Sequence, residues 1–171
     1  MKKILILTLI AGMFSTLNAA AQQDKSKRPS PPAKVSETIS SGATISIDYS
    51  QPSVKGRTIG KEIATFGEVW RTGANEATVF ETDKAVQIEG KALPAGKYSL
   101  YTIPGADKWT IIFNKTWQQW GTAYKETDDA LRVDVKPSKA PATTEKMTFN
   151  IAKNGEVSLL WGDTEVDFQV K

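Results

Sequence analysis

The sequence predicts an all-β fold: a single antiparallel β-sandwich with jelly-roll-like connections, with a closed β-barrel around an interior cavity as the alternative. Three observations carry that expectation. Short runs rich in β-branched and aromatic residues alternate apolar with polar positions, the period-two pattern of half-buried strands. Turn residues separate these runs at regular intervals, and Asn154-Gly155 between two alternating runs is the strongest short-range hairpin signal. Helix is scarce: Trp117–Asp129 and Ile59–Phe66 have room for one short turn each, and neither carries a sustained apolar stripe.

The strands follow in order. Ala43–Tyr49 places Ile45, Ile47 and Tyr49 on one face. Thr78–Thr82 and Ala85–Glu89 are short β-rich runs. Lys97–Ile103 and Trp109–Asn114 are separated by the turn signal Pro104-Gly105-Ala106-Asp107. Leu131–Val135 alternates strictly and stops at Pro137. Met147, Phe149 and Ile151 share a face, as do Val157, Leu159 and Trp161 after Asn154-Gly155. A turn at Gly162-Asp163 is expected to precede a last strand carrying Val166, Phe168 and Val170. The total is about nine strands, the spacing of a sandwich or barrel. No internal repeat is visible.

The chain opens like an export signal. Lys2 and Lys3 precede an apolar run over Ile4–Phe14, interrupted by Thr8 and Gly12, and Ala19-Ala20-Ala21 fits a small-residue cleavage site. The run is too short for a membrane span of ~20 residues, and no second one follows. Cleavage after Ala21 would leave 150 of the 171 residues. Residues 22–34 (QQDKSKRPSPPAK), with three prolines and no aromatic or β-branched side chain, read as a disordered linker. The domain then runs over 35–171. These features point to an exported protein, periplasmic or secreted, with no membrane span in the mature chain.

Composition narrows the chemistry. There is no cysteine, so disulfides, thiolate nucleophiles and a lipidated cysteine anchor are out; at ~150 residues a core can bury around 70% of the unfolded surface without staples. There is no histidine either, which removes imidazole acid–base catalysis, Ser-His-Asp triads and most transition-metal sites. Taking Lys2 and Lys3 from the 22 basic residues leaves 20 against 19 acidic ones. The only basic cluster is Lys25–Arg28 in the tail, so nucleic acid is not expected as a partner. No cofactor, metal site or catalytic residue is expected. Glu126, Asp128 and Asp129 lack the spacing of a calcium loop, and Asn114-Lys115-Thr116 is a chance glycosylation sequon.

Val69–Thr78 (VWRTGANEAT) is the segment that neither strand nor helix periodicity explains. Gly73 is expected to supply a positive φ for a tight turn, and Asn75 tolerates the same conformation. Arg71 offers a planar fork of donors, Glu76 an acceptor, and Trp70 a stacking surface. The structural alternative pairs Arg71 with Glu76 across the turn and sends Trp70 to the core. A second polar loop, Tyr49–Arg57 (YSQPSVKGR), adds a phenol and two cations. If the two loops meet, Tyr49, Arg57, Trp70, Arg71, Asn75 and Glu76 form a binding mouth at one end of the fold. Trp109, Trp117 and Trp120 lie within twelve positions. Trp109 alternates with Ile111 and Phe113 on an inward face, whereas Trp117 and Trp120 sit in a loop-like stretch.

YSQPSVKGR, VWRTGANEAT, LPAGKYSLYTIPG (Leu93–Gly105), WTIIFNK (Trp109–Lys115), Trp120-Gly121 and LRVDVKP (Leu131–Pro137) occur in that order. Together they resemble the domain-of-unknown-function family numbered 2911, exported proteins of Gram-negative bacteria. The resemblance covers nearly all of the chain from about Val35. Ile63-Ala64-Thr65-Phe66 departs from the family pattern in being less proline-rich. The resemblance implies an exported, mostly β domain and carries over no activity or catalytic residue.

Three functional readings follow. The first is a non-catalytic binding module for a small polar ligand or glycan fragment. The second is a carboxylate-dependent hydrolase using Glu76 with Tyr49 or Lys115. The third is a structural envelope protein that docks a protein partner through Trp117, Trp120 and Tyr124.

Overall fold

The computed structural model describes residues 24–171. The expected export signal and its cleavage site lie outside the described residues.

Among the described residues, ten strands form two layers. The large layer is a six-stranded antiparallel sheet in the order β1 (Pro32–Thr38), β2 (Thr44–Ser50), β3 (Thr78–Thr82), β6 (Gly96–Ile103), β7 (Trp109–Asn114), β8 (Asp129–Val135). Its strands neighbour one another in chain order. The sheet is therefore a meander, in place of the jelly-roll crossings expected. The second layer is the long hairpin of β9 (Ser138–Ile151) and β10 (Glu156–Gln169). The small hairpin of β4 (Val86–Ile88) and β5 (Lys91–Leu93) joins this layer through an Ile88–Val170 bridge. The layers do not close into a barrel.

The core lies between the layers, and the alternation puts it there. Ile45, Ile47 and Tyr49 of β2, Phe80 of β3 and Trp109, Ile111 and Phe113 of β7 face Met147, Phe149, Val157, Leu159, Trp161, Val166 and Phe168. Phe113 sits edge-on to both Phe80 and Phe168, with centroids 5.0 and 6.0 Å away. Burying one such ring contributes about 1.5–3 kcal/mol.

Strands β6 and β7 are buried on both faces, with Ser99, Thr102 and Asn114 among their buried side chains. Ser99, Tyr101, Ile112 and Asn114 point away from the main core. They are covered by the connection over 115–128, which contains a 3-10 turn at Glu126–Asp128. Gln119 donates to Tyr101 Oη at 3.1 Å, and Tyr124 packs on the Tyr101 ring at 4.8 Å.

The turn expected at Gly162-Asp163 is instead a bulge. Strand β10 runs through it, with register shifts on either side of Gly162. The inward positions are odd-numbered up to Trp161 and even-numbered from Val166. Such bulge sites let one strand change parity without ending.

The chain is ordered before the expected domain start. Strand β1 begins at Pro32, and Lys25–Lys27 form a 3-10 turn. The prolines did not prevent pairing, because β1 is an edge strand, where a missing N–H faces outward. No helix among the described residues is long and apolar enough to cross a membrane.

Candidate functional site

Val69–Thr78 leads from the 27-residue span 51–77 into β3, and the sheet itself positions it. Trp70 exchanges both backbone hydrogen bonds with Thr102, beyond the end of β3 (2.7 and 2.9 Å). The chain then bulges out and returns at Thr78. The positive φ falls at Thr72 (50°) and Asn75 (62°), and Gly73 does not adopt one. Gly73 is instead needed for space, since a Cβ there would lie 2.8 Å from Thr78 Oγ1 and 3.2 Å from the Ser50 carbonyl oxygen.

A β-branched residue at positive φ is a true outlier, and Thr72 is held there by its burial and partners. Its hydroxyl, with one proton to give, lies 3.2 Å from both the Trp70 carbonyl and Thr102 Oγ1, and its carbonyl accepts from Thr78 Oγ1 at 2.8 Å. Strain of this kind costs on the order of 1–3 kcal/mol and concentrates at functional sites.

The two polar loops meet, and they enclose two neighbouring hollows. The first, of about 230 Å³, is lined by Arg57 and Pro52 from one loop and by Trp70, Arg71, Gly73 and Ala74 from the other. Ser30, Ile63, Ala64 and Trp161 complete its wall. The second, of about 260 Å³, is lined by Tyr49, Asp48, Glu76, Lys25 and Arg28 among others. The six residues expected to converge are therefore divided.

Glu76 belongs to the second hollow, and Arg71 is not its partner. Arg28 grips both Glu76 oxygens at 3.0 and 2.8 Å, and Lys25 reaches one at 3.1 Å. Burial would raise this carboxyl, but its own backbone N–H, Lys25 and Arg28 together hold it down at about 2. A carboxylate that weakly basic is poorly suited to take a proton near neutrality. Asn75 lies between the hollows, donating to the Ser30 carbonyl at 3.1 Å and accepting from the Gly121 N–H at 3.1 Å.

Tyr49 is committed to the core. Its hydroxyl accepts from the Phe149 N–H at 3.1 Å, and its ring meets Phe149 edge-on at 5.0 Å. Arg57 is exposed, and its guanidinium donates to the Ser53 and Val54 carbonyls at 2.7 and 3.1 Å, which ties it to its own loop. Trp70 stacks flat on Trp161, centroids 5.1 Å apart and planes 7° from parallel.

Arg71 is the exception in this set. It is half-buried, and among the described residues its side chain makes no hydrogen bond and no ion pair. It packs against Gly121 and faces Tyr101, whose phenol is raised by burial and lowered in part by the Arg71 charge. Trp161 is 3% exposed, and its buried Nε1 lacks an acceptor among the described residues.

The family's sequence profile, described as a protein of unknown function (DUF2911), matches residues 30–170. The chain belongs to this family. No match is found among curated proteins, and none among solved structures. The DUF2911 span contains every residue that lines the Arg57–Arg71 hollow, from Ser30 to Trp161. It excludes Lys25 and Arg28, the two cations that occupy Glu76. The unpaired arginine thus belongs to the DUF2911 domain itself, and the clamp on Glu76 is supplied from outside the matched span.

The aromatic cluster is dispersed in this DUF2911 domain. Trp120 is 52% exposed. Trp117 lies under the Lys97 ammonium at 5.0 Å, and Tyr124 is tied to Asp129 and Arg132 at 2.8 and 2.7 Å. Among the described residues no three acidic side chains gather closely enough to hold a metal ion. Sequence reasoning missed Ser30, which composition placed in a linker, and Trp161, whose inward alternation marked it only as core.

Proposed function

We propose that this protein is an exported, non-catalytic binding module whose small polar ligand seats in the hollow between Arg57 and Arg71. The observation that carries this reading is Arg71: a half-buried guanidinium with no partner among the described residues, on a segment held in strained backbone geometry. A desolvated, unpaired cation is costly unless something pairs with it. Export rests on the basic and apolar N-terminal pattern followed by Ala19-Ala20-Ala21. Against the hydrolase reading stands the clamp on Glu76, which leaves it ionised and occupied.

The test is a thermal-shift screen of sugars, sugar acids and small metabolites on the parent protein and on Arg71→Ala. A ligand that raises the Tm of the parent should lose most of that effect on the variant, because linkage ties the Tm gain to affinity. Stabilisation that survives Arg71→Ala undiminished removes Arg71 from the site.

A further inference from the structure

We infer that the face carrying Glu76 and Trp120 is a docking surface for a basic polypeptide segment with Lys-x-x-Arg spacing, and that the chain's own tail, Asp24–Arg28, is its occupant in cis. Lys25 and Arg28 both end on the Glu76 carboxylate, Lys25 at 3.1 Å and Arg28 at 3.0 and 2.8 Å. The 3-10 turn at Lys25–Lys27 explains how one carboxylate takes two cations. Such a turn has three residues per turn, so positions three apart eclipse on one side. Asp24 caps it by accepting the Ser26 N–H at 3.1 Å. Lys27 falls off that side: it is 83% exposed, and among the described residues its ammonium reaches only Asp24, at 3.8 Å. The surface therefore reads a spacing and not basic charge in general.

Acceptor and donors come from different parts of the chain. Glu76 lies inside the span that matches the family, and Lys25 and Arg28 lie before it. The domain thus presents a carboxylate whose only ion-pair partners among the described residues are the two tail cations. Asp48, in the same hollow, is already paired with Lys34 at 2.9 Å. The tail leaves part of the surface bare. The Ala77 N–H donates to the Gln119 carbonyl and the Gly121 N–H to the Asn75 carbonyl, both at 3.1 Å, which makes Glu76 and Trp120 a directly opposed, non-hydrogen-bonded pair. Side chains of such pairs stand closest together, on one face. Trp120 is nonetheless 52% exposed, and no described cation lies over its ring, whereas Lys97 lies over Trp117. A bare indole beside a carboxylate suits the cations of a basic segment. The tail's hold is exchangeable, because exposed ion pairs contribute little on their own. What favours it is its tether: the Ser30 carbonyl accepts from Asn75 at 3.1 Å and the Pro31 carbonyl from the Gln51 N–H at 2.9 Å, which keeps the tail beside Glu76.

The experiment uses the 15N-labelled chain from Gln22 to Lys171 and a free peptide of residues 22–30, QQDKSKRPS. The readout is the Trp120 indole N–H resonance, assigned with Trp120→Phe. In the double variant Lys25→Ala, Arg28→Ala the peptide should shift that resonance saturably, with a dissociation constant of about millimolar, and should bind the parent about tenfold more weakly because the tether holds the tail in place. The shift should vanish when Glu76→Gln is added, and a peptide carrying the two alanines should cause none. A second measurement needs no peptide: Glu76→Gln alone should release the tail and move the amide resonances of residues 24–28 to random-coil positions. Equal binding to the parent and the double variant, no binding to the double variant, binding that survives Glu76→Gln, or tail amides unmoved by Glu76→Gln each overturn the inference. Binding that leaves the Trp120 resonance still overturns the shared surface. A Trp120 shift that grows with the concentration of the parent itself assigns the site to a second copy's tail and overturns the occupant in cis.

Discussion

Gly121 packs directly on Arg71: a Cβ at position 121 would overlap Arg71 Cδ and sit 2.8 Å from the Asn75 carbonyl oxygen. The connection over 115–128 therefore sets where the Arg71 guanidinium points. Gly121→Ala should displace Arg71 and strain the Asn75 turn, at a cost of about 1–3 kcal/mol. Urea denaturation measures that cost. Ligand affinity should fall along with stability, whereas Thr122→Ala, on the exposed side of the same loop, should leave both unchanged.

Thr72 tests whether the bulged segment is held by its hydroxyl. Thr72→Val keeps the branched shape but takes the hydroxyl from buried Thr102 Oγ1; the Trp70 carbonyl keeps the Thr102 backbone N–H. The loss should be about 1–3 kcal/mol, the desolvation cost of unpaired buried polar groups. A midpoint in urea equal to the parent's would show that packing alone holds the turn.

The clamp on Glu76 gives a pH signature. Its carboxyl is lowered from 4.5 to about 2 in the folded protein. A depressed carboxyl contributes stability that is fully present above the unfolded value and is lost as pH falls through the folded one. Stability should therefore decline between pH 4.5 and about 2 with a contribution from this group. Solvent screening reduces that contribution, because the side chain is 40% exposed. Glu76→Gln should flatten this part of the pH profile, and Arg28→Ala should flatten it in part. A slope identical in Glu76→Gln and the parent would remove Glu76 as its source.

Tyr49 separates core from site. Tyr49→Phe deletes the acceptor of the buried Phe149 N–H and should cost about 1–3 kcal/mol. Ligand affinity, extrapolated to the fully folded fraction, should not change, since Tyr49 lines the second hollow and not the one that holds Arg71. A loss of affinity in the folded variant would return Tyr49 to the binding site.

Much of the architecture was legible in local pattern. The faces of β2, β7 and the β9–β10 hairpin follow from alternation, because a strand with one buried side must repeat every second residue. The switch from odd to even inward positions after Trp161 was visible too; Gly162 invited a turn, and only the continued pairing of β10 with β9 made it a bulge. Strand β1 was hidden by Pro32 and the two prolines just before it, and β5 is only three residues long.

By itself the sequence determined the all-β class, the absence of imidazole and thiol chemistry, and the two polar loops as the unusual segments. Only the tertiary structure decided how those loops divide their charges. Glu76 is taken by Arg28, 48 positions away, and the indole that stacks on Trp70 comes from the opposite layer of the sandwich. Alternation reports which way a side chain faces within its own strand. It is silent on which distant residue the order of strands brings opposite, and that placement left Glu76 paired and Arg71 open.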